Sequence, residues 1–111
     1  MSLSTHVLDT ARGRPAPGME VTCEVRDGAG WRQVAQQRTD ADGRIGSLIG
    51  RGELQAGVYR LAFATGAWAD VANQATFWPK VTVEFEVTSP GQHHHVPLLL
   101  SPYGYSTYRG S

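Results

Sequence analysis

The sequence predicts an all-β fold, a two-sheet sandwich of about eight strands carrying one short helix. Three observations point there. Short stretches of alternating apolar and polar residues recur along the chain, turn signals rich in Gly, Pro and Asp separate them, and a single Ala-rich segment departs from the pattern.

The elements follow in order. Residues 3–8 alternate and run into the turn-rich segment Arg12-Gly-Arg-Pro-Ala-Pro-Gly18. Residues 19–27 place Met19, Val21, Cys23 and Val25 on one face, and Gly28-Ala-Gly30 turns the chain into a returning strand over 31–38. Asp40-Ala-Asp-Gly43 is a turn whose Asp-Gly pair tolerates left-handed backbone. Residues 57–63 read as a strand only partly in register with strict alternation. Residues 67–74 hold Trp68, Val71 and Ala72 at helical spacing and predict one or two helical turns. Pro79 leads into the strongest strand, 80–87, with Val81, Val83, Phe85 and Val87 on one face and Thr82, Glu84 and Glu86 on the other. The run 93–100, a Ser-Pro turn and residues 105–111 close the chain.

A chain of 111 residues fits one domain, 1–111, with a real but modest core. Ten Lys and Arg balance ten Asp and Glu, so nothing in the charge suggests a nucleic-acid or membrane surface. The single Cys23 cannot form an internal disulfide, and its alternating surroundings predict a packed strand thiol. The N-terminus lacks the basic start and apolar run of a signal peptide, and no stretch approaches the ~20 apolar residues of a membrane span. A cytoplasmic protein is expected.

Three features stand out from sandwich filler. His6 lies in the first strand, where a histidine is more often structural than functional. Arg44 follows the Asp42-Gly43 turn, where an arginine is usually solvated. The third is the block from His93 to Ser111. Alternation there puts His93 and His95 on one face and His94 on the other. Imidazoles at i and i+2 suit zinc or copper, but no carboxylate or thiol lies nearby in sequence, and no physiological metal site is expected. The tail Tyr108-Arg-Gly-Ser111 reads equally well as a last edge strand or as a functional terminus.

Taken together these residues resemble a known family. Ser4-Thr-His-Val-Leu-Asp-Thr-Ala-Arg-Gly-Arg-Pro-Ala16 looks like the N-terminal signature of the 5-hydroxyisourate hydrolases, or transthyretin-like proteins. Thr39-Asp-Ala-Asp-Gly-Arg44, Phe77-Trp-Pro-Lys-Val-Thr-Val83, His95-Val-Pro-Leu-Leu-Leu-Ser-Pro102 and the closing Tyr-Arg-Gly-Ser are similar to its later motifs. The resemblance covers essentially the whole chain. The terminal tetrapeptide is its specific part, because transthyretins proper end differently and carry a lysine at the position of His6. His94 stands where a tyrosine is common and Ala64 where an acidic residue is frequent; neither is a catalytic position of the family.

The resemblance implies a transthyretin-like (prealbumin-like) sandwich that assembles as a homotetramer, a dimer of dimers, with active sites between dimers. It implies hydrolysis of 5-hydroxyisourate in urate breakdown: water attacks the C6 carbonyl and the bond to N1 breaks. His6, Arg44 and His95 would be catalytic, and Tyr108, Arg109, Gly110 and Ser111 would bind the substrate. A histidine near neutrality can take the proton of attacking water, and a fixed arginine can stabilise the developing oxyanion. Which histidine is the base stays open, and no cofactor is implied. The apolar run Val96-Pro-Leu-Leu-Leu100 is expected to offer surface for the assembly. A hormone-carrying protein on the same fold is the main rival, and an accessory β-sandwich without a small ligand is a third class. The polar His6, Arg44 and His95 argue against an apolar ligand.

Overall fold

The computed structural model describes residues 2–111. Its strands are β1 (Leu3–Asp9), β2 (Arg14–Pro15), β3 (Glu20–Asp27), β4 (Gly30–Arg38), β5 (Arg44–Ile49), β6 (Gly57–Phe63), β7 (Val81–Val87), β8 (His94–His95), β9 (Leu98–Leu100) and β10 (Tyr105–Thr107), with helix α1 (Thr65–Ala72) between β6 and β7. They form two sheets, as the alternation requires. One runs β4-β3-β6-β7, all antiparallel. The other centres on β1, with β2 and β5 antiparallel to it on one side, and β8 and β9 parallel to it on the other, followed by β10.

The core lies between the inner faces. Leu3, Val7, Ile45, Leu98 and Leu100 meet Val21, Cys23, Leu61, Phe63 and Val81, all buried. Full burial of each large side chain contributes about 1.5–3 kcal/mol. The face expected for 19–25 is the buried one, as is the Val81 to Val87 face. Cys23 is a buried thiol, pushed up to about 12 by burial and secondarily by Glu24, so it is neither a nucleophile nor a ligand at neutral pH.

Three expectations are corrected. The helix begins two residues earlier than its Ala-rich segment suggests, because Thr65 is buried and donates its hydroxyl to the Trp78 carbonyl at 2.6 Å. Its buried stripe is therefore Thr65, Trp68 and Ala69, and Val71 is 90% exposed. The helix ends on Asn73 in the left-handed conformation, and Arg12 caps the free carbonyls of Ala72 and Asn73. The strand β5, for which the sequence reading gave no element, carries no period-two signal. Its buried Ile45 and Leu48 are three apart, because the β1–β5 pairing shifts register between Leu3 and Thr5. The run 93–100 is two short strands rather than one, interrupted by Val96 and Pro97. Its apolar residues Val96, Leu98 and Leu100 are consumed by the chain's own core, so they do not supply the assembly surface expected of them.

The Asp40–Gly43 turn places the start of β5. Asp40 Oδ1 accepts from the backbone N–H of Asp42 and of Arg44, both at 2.9 Å. Gly43 has φ +74°, and a Cβ there would stand 2.5 Å from the Val7 carbonyl oxygen and 2.9 Å from Pro15 Cβ. Gly43→Ala is therefore expected to destabilise the fold by about 2–5 kcal/mol, combining about 1–2 for left-handed backbone with about 1–3 for overpacking. Urea unfolding reads this directly; a loss under half a kilocalorie would show that the turn relaxes freely.

Candidate active site

β1 alternates across its sheet. Leu3, Thr5 and Val7 point into the core, which leaves Ser4, His6 and Leu8 on the outer face. Antiparallel pairing sets His6 opposite Arg44, and parallel pairing sets Ser4 opposite His95. Residues far apart in sequence thus gather on one outer face: His6, Arg44, His95 and, unexpectedly, Ser4 and His93.

Each histidine has a distinct partner. His6 Nε2 lies 3.0 Å from the Asp42 carbonyl oxygen. A carbonyl only accepts, so Nε2 carries the proton and, in the neutral ring, Nδ1 is the lone pair. His94, turned the other way and buried, similarly donates Nδ1–H to the Gln92 carbonyl at 2.9 Å. His95 Nδ1 and His93 Nε2 converge on one hydroxyl, Ser4 Oγ, at 2.7 and 2.9 Å. The face expected for His93 and His95 is the one they share, and the group between them is a serine.

Electrostatics separates His95 from the others. Burial first, then the nearby His6, His93 and Arg44, hold its pKa below the ordinary 6.5, against a smaller raising contribution from a Ser4 hydrogen bond. Its neutral form therefore dominates through neutral pH. Among the described residues no carboxylate pairs with the Arg44 side chain; the ion pairs fall on Arg26, Arg32, Arg38 and Arg60. The Arg44 guanidinium is exposed and available to a ligand.

The tail divides. Gly110 bridges to His95, donating its N–H to the His95 carbonyl at 2.7 Å. A Cβ on Gly110 would fall 2.5 Å from His95 Cδ2, so only glycine fits against that ring. Tyr108, 58% exposed, and Arg109 instead line a groove of about 230 Å³ beside Phe85 and Val96. Arg109 reaches Gln92 Oε1 at 3.2 Å, and Ser111 is exposed. Within one chain, then, His6, Arg44, His95 and Gly110 are assembled, while Tyr108, Arg109 and Ser111 stand at the margin.

A cleft of about 700 Å³ lies between α1 and the segment after β1, lined by Arg12, Arg14, Arg38, Trp68 and Val71. None of the candidate residues lines it. His6, Arg44 and His95 lie on an outer sheet face, not in an enclosed pocket. Sequence reading missed Ser4 and Asp40 as site-builders. Their signals were present, a hydroxyl two residues before His6 on the same strand face and an Asp opening a tight turn, but neither carries meaning until its partners are known.

The comparisons with known proteins agree on one family. The model of the HIUase/Transthyretin family matches residues 3–110. A 5-hydroxyisourate hydrolase of Salmonella typhimurium is 48% identical over 109 residues, covering 98% of this chain and 80% of the relative. One from Caulobacter vibrioides is 48% identical over 113 residues, covering 98% and 97%. Among solved structures, Klebsiella pneumoniae 5-hydroxyisourate hydrolase superposes with a TM-score of 0.85 at 38% identity, covering 99% of this chain and 93% of that one. Sea bream transthyretin in complex with thyroxine superposes at 0.92 with 33% identity, covering 99% and 95%. The backbone thus matches an enzyme and a thyroxine-bound protein about equally well, and the side chains of the site must separate them.

Proposed function

The chain belongs to the HIUase/Transthyretin family, and from that premise we propose that it acts as the family's enzyme: it hydrolyses 5-hydroxyisourate to 2-oxo-4-hydroxy-4-carboxy-5-ureidoimidazoline. The observation that carries this reading is the cluster of His6, Arg44 and His95 on one outer sheet face. Two imidazoles and an unpaired guanidinium suit an attacking water and an oxygen-rich ring, and do not suit an apolar hormone. The whole chain, 1–111, is read as one catalytic domain.

In the proposed mechanism His95 is the general base. Its lowered pKa keeps a lone pair available at neutrality, and the positive Arg44 favours a lone pair over an N–H facing it. His6, with Nε2–H committed to the Asp42 carbonyl, orients the same water through Nδ1. As water attacks the C6 carbonyl, its proton passes to His95 and charge builds on the carbonyl oxygen. Arg44 stabilises that charge more in the transition state than in the ground state. Collapse of the tetrahedral species breaks the bond to N1, and the proton on His95 returns to the leaving nitrogen. Tyr108, Arg109, Gly110 and Ser111 would hold the ring.

We read the working form as a homotetramer in the cytoplasm. An open sheet face lacks the second wall a cleft needs, and a second copy would supply it. Among the described residues the outer edges of β7 and β10 also have no strand partner, and the Phe85–Val96 groove lies near them. Light scattering is expected to give four times the 12.0 kDa chain mass; full activity in a monomer would refute the shared cleft. Among the described residues no helix is long and apolar enough to cross a membrane.

The direct test adds the protein to 5-hydroxyisourate freshly made by urate oxidase and follows its ultraviolet decay. Catalysed decay is expected; decay at the spontaneous rate, beside saturable binding of thyroxine, would favour the carrier. The pH dependence adds a second check. Protonation of His95 removes the base, and its pKa lies below 6.5, so kcat/KM should hold level across neutrality and fall only on the acid side of that value. An acid limb centred above 6.5 would rule out His95 as the titrating base.

A further inference from the structure

The hydroxyl between His93 and His95 has a consequence for catalysis. Ser4 is 7% exposed, on the central strand of its sheet. Backbone bonds hold it there: Val96 N–H donates to the Ser4 carbonyl at 3.0 Å and His94 N–H to that of Ser2 at 2.8 Å. Its Oγ meets His93 Nε2 at 2.9 Å and His95 Nδ1 at 2.7 Å. A hydroxyl has one proton and two lone pairs, so it can donate to at most one of these nitrogens and can accept from either that carries a proton. His6 and His94 face carbonyls, which dictate their tautomers. The tautomer of His95 depends on a group that can turn.

We propose that Ser4 is a positioning residue whose hydroxyl, shared by His93 and His95, holds His95 in the tautomer that leaves its Nε2 lone pair to water. This rests on reading His95 as the base. With His93 neutral and its lone pair at Nε2, Ser4 donates to it and accepts Nδ1–H from His95. The Nε2 lone pair of His95 is then free for water. The charged and titratable groups around His95 are His6 from β1, Arg44 from β5 and His93 from its own segment. The tail packed on it brings the Gly110 backbone, with the neighbouring Arg109 directed to Gln92.

The experiment uses the full-length enzyme labelled with ¹⁵N-histidine. Long-range ¹H–¹⁵N spectra read which His95 nitrogen carries the proton, in parallel with kcat and KM across pH. In the wild type the proton of neutral His95 is expected on Nδ1. Ser4→Ala should shift His95 toward Nε2–H and lower kcat roughly ten- to hundredfold, as losing a tautomer-setting neighbour does elsewhere, with KM changed less than about twofold. Ser4→Thr, which keeps a hydroxyl, should recover most of the rate. His93→Ala, at an exposed position, tests the other end if Ser4→Ala folds poorly. With the His93 acceptor gone, Ser4 can turn its proton to His95, and the share of Nε2–H on His95 should rise. A neutral wild-type His95 protonated on Nε2, or a tautomer indifferent to both Ser4→Ala and His93→Ala, would overturn this role for Ser4. His95→Ala separates the two claims. Full activity in that variant, with the Ser4→Ala spectrum shifted, would leave the positioning role standing and refute the base.

Discussion

His95→Ala and His6→Ala are each expected to lower kcat by about 10²–10⁴-fold, the usual worth of a positioned proton acceptor, with the fold intact. At 1.36 kcal/mol per decade this is roughly 3–5.5 kcal/mol of transition-state stabilisation. The fold should survive because both side chains lie on the outer face of β1 and β8, away from the core between the sheets. Removing the His95 ring leaves Ser4 Oγ bonded to His93, and removing the His6 ring leaves the Asp42 carbonyl to water. Neither orphans a buried polar atom at large cost. The two effects should not add: in the proposed mechanism both rings act on one water, and the double variant should be little slower than the worse single one. Two folded single variants with near wild-type kcat would refute the two-histidine site altogether.

Deleting Tyr108 to Ser111 is expected to reduce hydrolysis more than a hundredfold, in the range of lost positioning at the reacting centre, while the chain still folds. The four residues follow β10, and Tyr108, Arg109 and Ser111 are exposed, so little apolar burial depends on them. What the tail does touch is the candidate base. Gly110 bonds the His95 backbone and packs on its ring so closely that a methyl group would overlap Cδ2. Gly110→Ala therefore isolates that contact without shortening the chain. It should displace the tail or the ring and lower kcat while the melting temperature stays within a few degrees. A C-terminal tag should impair the enzyme more than an N-terminal one. Normal melting together with full turnover in the truncated protein would remove the tail from the active site.

How far the sequence carried these conclusions differs by element. Alternation in 19–27 and 80–87 named the buried faces correctly, because an extended strand has a period of two that needs no knowledge of its neighbours. The same rule separated His94 from His93 and His95. It offered no reading at β5, where a register shift against β1 puts Ile45 and Leu48 on the core side at a spacing of three. It also misjudged Val71, whose side of the helix was decided by the burial of Thr65 two residues before the apparent start. The chain of motifs from Ser4 to the terminal tetrapeptide made the family legible without any coordinates.

The sequence by itself determined which residue types could do the chemistry: two imidazoles, a guanidinium and a glycine near the end. It also determined that the Asp40–Gly43 turn would be tight. Only the tertiary structure decided that they meet. Ser4 and His95 are 91 residues apart, and nothing local to either says that β8 lies parallel to β1 in the register that sets them opposite. A slip of one residue would turn the His95 side chain to the opposite face of the sheet. That register is held by the backbone bonds of β1 to β5, β8 and β9 and by the core beneath them, so the relation between His93, Ser4 and His95 is a property of the packed sheet and of no single segment.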